Sequence, residues 1–421
     1  MEQVLFRHNK PGRPVTFTEY CDEGGFGALK KALSSLSPDE VQQAVIDSGL
    51  RGRGGAGFPT GKKWSFFPRN LQGPRWLICN GDEMEPGTYK DRTLLEANPW
   101  LLVEGLLLAC YTLDIKHSFI FIRRGYEQGA ANLKRAILET KAAGLLGENI
   151  LGSGFSCHID LHVSAGRYIC GEETALMNAL EGKRPTPRSK PPFPASKGLW
   201  GAPTVVNNVE SLANIPSIIA HGPAWFKGLA ATPEAAGMKL FCASGPVVNT
   251  GCFELPMGMS LGAIIEGPCG GMRPGSIFKA CQPGGASTPY FTQEHWNVPM
   301  DFDPVAKAGS RLGTGGIVVF DQHTCMVAAT LNLVRFYARE SCGWCTPCRE
   351  GLPFVVHLLE LIETGQGSEE HIAILREHVQ YLNYTFCALA PGAMGPVSGL
   401  LTHFEDEVRE HIVKGSCPLR N

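Results

Sequence analysis

Three closely spaced cysteines in the C-terminal quarter of the chain have the pattern of metal ligands. Cys342, Cys345 and Cys348 are each separated by two residues, and the next cysteine, Cys387, follows after 38 more. Structural zinc sites usually pair two Cys-x-x-Cys turns or add histidines, whereas three such cysteines with a remote fourth commonly hold a four-iron cluster. A bacterial ferredoxin run would need another cysteine where this chain has Leu352. We therefore predict an iron–sulfur cluster and rank a zinc site or unligated core thiols well below it.

A glycine-rich segment near the N-terminus could hold an anionic or flat ligand. Residues 51–64 read RGRGGAGFPTGKKW, in which Gly52, Gly54 and Gly57 formally fit the G-x-G-x-x-G dinucleotide fingerprint. A predicted helix precedes these glycines, whereas the fingerprint requires a strand, so the pattern contradicts a Rossmann fold. Backbone without Cβ atoms can still lie against a ring or phosphate, and Lys63 could add a positive charge. The competing interpretation is an ordinary glycine-rich turn with a surface lysine.

Two acidic clusters follow predicted strands at the same relative position. The segment NGDEMEPG (80–87) comes after a strand that ends at Cys79, and GRYICGEE (166–173) comes after a strand that ends at Val163. Polar side chains at the carboxyl ends of parallel strands lie where open α/β sheets bind ligands. Solvated loop charges are the ordinary explanation, but the repeated placement favours a shared pocket.

The elements that must position these residues alternate between strands and helices. A capping box at Ser37 and Glu40 begins a helix that extends to about Ser48. Strands alternating with helices predict a parallel sheet with helical crossovers, hence an α/β fold. The predicted strands are 76–79, 117–122 and 158–163, and the predicted helices are 92–113, 127–143 and 173–181.

The second half of the chain has a different pattern. Residues 184–203 are rich in proline and lysine, yet Phe193 and Trp200 predict an ordered extended loop. Short β-like runs over 238–321 predict a small α+β domain. The remainder is helical in pattern and predicts a small bundle, with helices at 325–340, 352–363, 369–382 and 397–413.

Composition excludes several functional classes. The 421 residues are too many for one ordinary core, and 43% hydrophobic with 19% charged residues is typical of a folded globular chain. The formal charge of −2 favours neither nucleic acid nor an anionic membrane. The N-terminus lacks the apolar core of a signal peptide, and the apolar stretch 100–113 is too short to span a bilayer. We therefore expect an intracellular protein without direct membrane insertion, with most of its 15 cysteines reduced.

The motifs together resemble one protein family. GRGGAGFPTGKKW, CNGDEMEPGTYKDR, GRYICGEETALMNALEG, PRSKPPFPA, NNVES and ESCGWCTPCREG are similar, in the same order, to segments of the FMN- and NADH-binding subunit of complex I, the respiratory NADH:quinone oxidoreductase. The resemblance covers nearly the whole chain. It implies an FMN- and NADH-binding α/β domain at 1–235, a ubiquitin-like (SLBB-type) domain at 236–324 and a helical bundle at 325–421 that binds a 4Fe-4S cluster.

The resemblance also implies roles for individual residues. For the cluster it selects Cys387 as the fourth ligand beside Cys342, Cys345 and Cys348, although many relatives have Gly-Asp where this chain has Ala390-Pro391. Glu85 and Glu173 would position NADH, without any side-chain acid or base. Residues implied to bind NADH are Phe58, Phe66, Glu85, Glu173, Lys190 and Phe193. Residues implied to hold FMN or otherwise line the cofactor site are Gly52, Gly54, Gly55, Gly57, Lys63, Asn80, Asp82, Glu83, Tyr168, Gly171, Glu172, Asn207 and Asn208.

The implied activity is hydride transfer from NADH to FMN, followed by single-electron transfer to the 4Fe-4S cluster. Implied partners are the other complex I subunits, above all the thioredoxin-like 2Fe-2S subunit (E type) and the large multi-cluster subunit (G type), in a peripheral arm on the cytoplasmic side of the bacterial inner membrane. The nearest alternative is the diaphorase subunit of an NAD-linked hydrogenase or formate dehydrogenase. Because those subunits often carry fused extensions, the limits of this chain favour the respiratory complex. A non-catalytic iron–sulfur scaffold is an alternative of a different class, and flavin content would distinguish it.

Overall fold

A four-stranded parallel sheet forms the centre of the first half of the molecule. The computed structural model describes residues 3–69 and 72–419, so the outer limits of the predicted first and third domains lie outside the described residues. The strands run in the order β3-β2-β1-β4, and all neighbours are parallel. They are β1 (Trp76–Gly81), β2 (His117–Ile122), β3 (His158–Val163) and β4 (Thr204–Asn208). The predicted α/β class and the first three strands are confirmed. Strand β4 was not predicted, because its sequence TVVNN ends in two asparagines, which are uncommon in strands, and directly follows the proline-rich segment.

Helices cover this sheet and bury both of its faces. Leu77 and Cys79 pack into one apolar core, and Ile78 and Val206 pack into a second core on the opposite face, as expected for a parallel sheet. The capping box at Ser37 and Glu40 is present. The helices of this half are α1 (Phe17–Asp22), α2 (Gly27–Ser35), α3 (Pro38–Asp47), α4 (Thr60–Ser65), α5 (Lys90–Ala97), α6 (Pro99–Leu113), α7 (Glu127–Ala142), α8 (Glu173–Leu180), α9 (Val209–Ala213), α10 (Ile215–His221) and α11 (Pro223–Gly228).

The single helix predicted over 92–113 is wrong. The chain forms α5 and α6 instead, bent by 102° at Asn98. The Asn98 side chain accepts a hydrogen bond from the Leu101 amide, and Pro99 occupies the first position of α6. Proline disfavours a helical conformation in the residue before it, which separates the two segments. Within the described residues no individual helix is long and apolar enough to cross a bilayer; this bent pair meets the length and composition criteria only when its halves are joined.

A second, mixed sheet follows in the chain. Its order is β6-β5-β8-β7, with β5 antiparallel to β6 and parallel to β8, and with β7 antiparallel to β8. The region has its own apolar core, to which Phe241, Leu261 and Phe291 contribute. This agrees with the mixed α and β composition predicted for 238–321. The elements are β5 (Met238–Ser244), β6 (Gly251–Pro256), α12 (Leu261–Glu266), β7 (Phe278–Gln282), α13 (Phe302–Lys307) and β8 (Gly316–Asp321).

Five helices form a bundle, and its apolar core also includes Ile169 from the first half and Tyr290 from the second-sheet region. The helix predicted at 397–413 is wrong, because the chain breaks at Phe404 and the first of the two resulting helices already begins at Leu389. Ala390 and Pro391 therefore lie in the first turn of a helix rather than in a loop. The helices are α14 (Met326–Glu340), α15 (Leu352–Glu363), α16 (Glu369–Tyr381), α17 (Leu389–His403) and α18 (Glu405–Lys414), with a π-helical turn at Pro347–Gly351.

Candidate functional site

The strand order creates a natural binding crevice at the carboxyl end of β1. The next strand in the chain, β2, lies on one side of β1, whereas β4, which follows β3, lies on the other side, so the strand order reverses beside β1. Open α/β sheets bind ligands at such a switch point. The register pairs Cys79 with Asn207 and Asn80 with Asn208. The polar residues that follow β1 and those that end β4 therefore meet at one edge of the sheet.

An open cavity of about 390 Å³ lies at this edge, within the range of small-molecule sites. Its walls come from the glycine loop, the ends of β1 and β4, the start of α8 and the bundle. Gly55, Phe66, Lys190 and Phe193 are not among the lining residues. The predicted residues that line it are Gly52, Gly54, Gly57, Phe58, Lys63, Asn80, Asp82, Glu83, Glu85, Tyr168, Gly171, Glu172, Glu173, Asn207 and Asn208.

The glycine loop is held so close to its surroundings that side chains would not fit. A Cβ on Gly54 would lie 3.0 Å from the Asn208 Cβ, and one on Gly57, whose φ is +66°, would lie 2.4 Å from the Phe302 ring. The Arg53 amide donates a hydrogen bond to Ser211 Oγ at 2.8 Å, which anchors the loop to α9. The loop thus offers bare backbone to the cavity, as a flat ring or phosphate requires.

Asp82 offers the cavity an acceptor without a partner. Its Oδ1 accepts a hydrogen bond from Ser164 Oγ at 2.6 Å, whereas its buried Oδ2 has no hydrogen-bond partner among the described residues. Burial raises the pKa of Asp82 to about 6. Buried acceptors are normally satisfied. A ligand with hydroxyl or ring N–H groups, such as a flavin mononucleotide, would satisfy this one.

Glu173 lies between two lysines at the mouth of the cavity. Its carboxylate is 2.6 Å from Lys190 Nζ and 3.4 Å from Lys63 Nζ. Burial acts to raise the pKa of Glu173, but the two ammonium groups outweigh it and hold the pKa below its usual value. Lys63 also donates to the Val206 carbonyl at 2.8 Å. The structure therefore brings Lys63, Glu173 and Lys190 together, as the resemblance implied, and gives each of them a partner that the sequence did not reveal.

Glu85 connects three parts of the molecule at the cavity wall. It accepts hydrogen bonds from the Tyr168 hydroxyl and from the Ser287 amide, each at 2.7 Å. Tyr168 in turn packs edge to face against Tyr337 of α14. Burial raises the pKa of Glu85. The carboxylate thus joins the parallel-sheet region to the second-sheet region, and it contacts the bundle both through Tyr168 and directly, since the Tyr337 hydroxyl lies 3.5 Å from Glu85 Oε1.

Two carboxylates that were predicted to bind the cofactor accept hydrogen bonds from backbone amides at helix N-termini. Glu83 accepts hydrogen bonds from the Asp91 and Arg92 amides at the start of α5. Glu172 is the N-cap of α8 and accepts from the two amides of Thr174 and Ala175. Both side chains line the cavity, but their carboxylates accept hydrogen bonds from backbone amides at the starts of α5 and α8. The sequence pattern did not predict this structural role.

Lys90 is a buried cation in the cavity wall that the sequence pattern did not predict. Only 1% of its surface is exposed, and its ammonium lies 2.7 Å from Asp91 Oδ1 and 3.1 Å from Glu210 Oε2. The Asn208 side chain accepts from it at 3.1 Å. Nothing in the letters TYKDR distinguishes this lysine from a solvated one. Its burial depends on Glu210, a residue distant in the sequence.

The aromatic residues predicted to contact NADH are unusually exposed. Phe58, Phe66 and Phe193 have 46%, 59% and 60% of their surface exposed, and the first two rings lie 6.4 Å apart. Large apolar side chains are normally buried, so these rings leave apolar surface available beside the cavity.

The four cysteines predicted as cluster ligands line one small second cavity. Apolar residues, among them Pro187 and Ala390, form much of the rest of its wall. A donor set of four thiols in an apolar surrounding fits a four-iron cluster. Ile169, Cys387 and Leu389 line both cavities. The two candidate cofactor sites therefore share a wall.

Two family models match separate parts of the chain. A family model described as the Nuo51 FMN-binding domain matches residues 45–217. A second, described as the NADH-ubiquinone oxidoreductase-F iron-sulfur binding region, matches residues 328–411, which include all four cysteines of the second cavity.

Curated relatives match over nearly the full length. The chain is 51% identical to the F-type subunit of NADH-quinone oxidoreductase of Escherichia coli (strain K12), over 96% of this chain and 91% of that protein. It is 46% identical to the F2-type subunit of NADH-quinone oxidoreductase of Rhizobium meliloti (strain 1021), over 99% of both. Among solved structures, an NAD+-reducing [NiFe]-hydrogenase in the air-oxidized state aligns with a TM-score of 0.84 at 34% identity, over 96% of this chain and 68% of that chain.

Proposed function

The chain belongs to the family of F-type subunits of NADH-quinone oxidoreductase, and on this premise we propose that NADH is oxidised in the cavity at the carboxyl end of β1. The protein is the NADH dehydrogenase subunit that binds FMN and a 4Fe-4S cluster. When bound, FMN supplies a two-electron acceptor for hydride and a one-electron donor to the cluster. The shared wall of Ile169, Cys387 and Leu389 supports this reaction most directly, because it makes the two cofactor sites neighbours.

The residues of this chain bind FMN and fix its orientation. We propose that the glycine loop and Asp82 hold FMN, the loop through bare backbone and Asp82 through its unpartnered oxygen. Asn80 donates to the Gly171 carbonyl at 2.9 Å and thereby fixes two predicted FMN contacts relative to each other. Lys90 contributes a buried positive charge to the same wall. None of these groups transfers a proton in the hydride step.

The mouth of the cavity is the proposed NADH site. The exposed rings of Phe58 and Phe66 offer a face on which adenine could stack. Glu173 and Lys190 would meet the ribose or phosphate groups with charges of both signs. Glu85 would keep the wall of the site rigid through its hydrogen bonds to Tyr168 and Ser287.

The proposed partners are the 2Fe-2S subunit of E type and the multi-cluster subunit of G type, in a peripheral arm on the cytoplasmic side of the inner membrane. Membership of the F-type family supports other complex I subunits as partners. A diaphorase role in a hydrogenase is the alternative, supported by the structural likeness to the NAD+-reducing enzyme. Co-purification from native membranes, followed by identification of the associated subunits, distinguishes the two.

The decisive experiment is spectroscopic. The full chain is purified anaerobically, and its absorption and EPR spectra are recorded before and after NADH is added. We expect bleaching of a flavin band and the appearance of a reduced four-iron signal. A chain that contains iron but no flavin, and that NADH does not reduce, would be a non-catalytic scaffold.

The same spectra test the cluster ligands. Cys345→Ser and Cys387→Ser should each abolish the NADH-reducible four-iron signal, whereas Cys417→Ser should preserve it. Cys345 and Cys387 line the second cavity, and Cys417 does not. An intact signal in Cys387→Ser together with its loss in Cys417→Ser would overturn the assignment.

A further inference from the structure

A second cluster of metal-ligating side chains lies in the bundle, apart from the four cysteines. Cys325, Glu363, His411 and Cys417 each offer one ligand atom, and these atoms all lie within 4.8 Å of one another. Cys325 Sγ is 3.3 Å from His411 Nε2 and 3.6 Å from Glu363 Oε2, and these last two atoms are 3.4 Å apart. None of the four lines the flavin cavity or the cysteine cavity.

These spacings are those of ligands around a single tetrahedral ion. Zinc binds sulfur at about 2.3 Å and nitrogen or oxygen at about 2.0–2.2 Å, so two ligands at a tetrahedral angle lie roughly 3.3–3.8 Å apart. The three measured separations, between 3.3 and 3.6 Å, fall in this range. A four-iron cubane would instead need room for a much larger group.

The imidazole already has the orientation of a ligand. His411 Nδ1 lies 2.8 Å from the Glu407 carbonyl, so Nδ1 carries the proton and Nε2 faces the two sulfurs and the carboxylate with its lone pair. Hydrogen bonding of one ring nitrogen to a carbonyl is the usual support for a metal-ligating histidine. The His411 side chain is fully buried.

The burial of these four side chains favours a bound cation between them over a group held together by hydrogen bonds alone. Cys325 and Cys417 are 9% and 5% exposed, and the side chain of Glu363 is 9% exposed. Thiols are weak hydrogen-bond donors, so a buried group of two thiols and a carboxylate gains little from its members alone. A divalent ion would bind all four donors at once as the two thiols release their protons to solvent, and it would offset the negative charge of the thiolates and the carboxylate.

We propose that Cys325, Glu363, His411 and Cys417 form a structural zinc site. Two sulfurs, one imidazole and one carboxylate suit the borderline-soft Zn²⁺. Four protein ligands leave no open position, so the site is structural rather than catalytic. The ion would join the N-cap of α14, the last turn of α15, helix α18 and the segment after it.

A close backbone contact brings these segments together. A Cβ on Gly365 would lie 1.9 Å from the carbonyl carbon and oxygen of Gly415, so the loop after α15 touches the end of α18 directly. Gly415, with φ +67°, then turns the chain so that Cys417 faces the other three ligands.

The test is metal analysis of the full chain loaded with FMN and its iron–sulfur cluster. The protein is purified anaerobically with a tag that contains no histidines, and zinc and iron are counted by mass spectrometry. We expect about one zinc beside about four irons per chain, and zinc K-edge absorption that fits two sulfur and two lighter ligands. Cys417→Ser should lower the zinc content at least tenfold and leave iron and flavin unchanged.

Cys269→Ser is the matched control, because Cys269 is also buried but lies in the second-sheet region; this variant should retain zinc. His411→Ala should also lose zinc. If that variant fails to fold, the native chain is produced in cells grown with cobalt instead of zinc. It should show the d–d absorption bands of tetrahedral Co²⁺, and Cys417→Ser should not. Native protein without zinc, a fifth iron in its place, or a disulfide between Cys325 and Cys417 under anaerobic conditions would each overturn the proposal.

Discussion

At the scale of single residues, charges in the cavity are arranged in opposing pairs, and this arrangement decides the effect of mutation. Lys63 is shared between the Val206 carbonyl and Glu173. Glu173 is shared between Lys63 and Lys190. A substitution that removes one of these charges therefore alters the electrostatic field at the cofactor site, and it also leaves the oppositely charged neighbour without its ion pair.

Lys63→Glu should remove FMN from the folded chain. The substitution replaces a positive charge that could attract the FMN phosphate with a negative one that repels it, and two like unit charges about 4 Å apart repel by roughly 4 kcal/mol at an effective dielectric of about 20. We expect flavin content after gel filtration to fall more than tenfold. Lys62→Glu is the control, since Lys62 is exposed and does not line the cavity. Stoichiometric flavin in a folded Lys63→Glu chain would exclude Lys63 from FMN binding.

Glu173→Gln should relax the preference for NADH over NADPH. The substitution removes a negative charge that would repel the additional phosphate of NADPH, and it leaves Lys63 and Lys190 free to attract that phosphate. We expect the kcat/KM ratio of NADPH to NADH to rise about tenfold, which corresponds to about 1.4 kcal/mol. Artificial electron acceptors suffice for the assay.

Glu172→Gln is the control for this measurement. Glu172, not Glu173, caps α8, so its substitution should lower the melting temperature without a comparable change in the nucleotide ratio. If Glu173→Gln leaves the ratio unchanged, Glu173 does not contribute to the choice of nucleotide.

Asp82 should make the FMN-free chain less stable as pH rises. Burial raises its pKa from 3.8 to about 6, so the folded chain binds more protons than the unfolded chain between these values. Stability therefore falls through this window and levels off above about pH 6, by at most about 3 kcal/mol. Asp82→Asn should raise the free energy of unfolding at pH 7 by about 1–2 kcal/mol and weaken FMN binding. Denaturant unfolding should show a smaller gain at pH 5; an equal gain at both pH values would contradict the assignment.

At the scale of elements, three glycines of α17 allow the second-sheet region to approach the bundle. A Cβ on Gly395 would lie 2.4 Å from the Ser287 carbonyl oxygen, and one on Gly399 would lie 2.6 Å from the Tyr290 amide nitrogen. Gly392, on the same side, faces the Ser287 side chain at 3.3 Å. Their spacing of three and four residues places all three on one helix face.

Gly395→Ala should therefore disturb the cavity from a distance. The added methyl group displaces Ser287, whose amide binds Glu85, and overpacking of this kind costs about 1–3 kcal/mol. We expect a lower melting temperature and a several-fold higher KM for NADH. Gly392→Ala should have a smaller effect, because it meets a side chain instead of backbone. Equal effects of the two variants would show that close backbone contact is not the cause.

Local patterns predicted the elements well wherever the determinants were local. The capping box at Ser37 and the strand His117–Ile122 are examples. The break at Asn98 was missed although Asn98-Pro99 is a local signal, because the apolar stretch after it suggested one continuous helix. In the same way, the apolar and glycine-rich residues before Val397 concealed the start of α17 at Leu389.

The sequence predicted many of the residues that line the candidate site but not the long-range contacts that hold them in place. Residue types and spacing indicated the glycine loop and Cys342, Cys345 and Cys348, and the resemblance added Cys387. The structure places Gly52, Gly54 and Gly57 on one cavity and all four cysteines on the other. The burial of Lys90 depends on Glu210, and the position of Cys417 depends on the fold of the entire bundle. Such long-range contacts leave no periodic or motif signal in the sequence.

At the scale of the whole molecule, FMN should stabilise segments that are far apart in the sequence. The glycine loop and Cys387 to Leu389 line the same cavity, so a ligand there links the parallel-sheet region to the bundle. Hydrogen exchange of the FMN-loaded and FMN-free chains should show added protection in both segments at once. Helix α12, which does not line the cavity, should be unaffected. Protection confined to the glycine loop would mean that the bundle does not contribute to flavin binding.

The shared wall also fixes the time at which the active chain can be completed during synthesis. Gly52 and Leu389 line one cavity, yet a ribosome adding roughly 5–20 residues per second needs on the order of 20 to 70 s to travel between them. The crevice of the nascent parallel sheet therefore remains open until the start of α17 has been synthesised. Flavin that arrives early meets an incomplete pocket, and firm retention of the cofactor becomes a late event that follows translation of the cluster ligands.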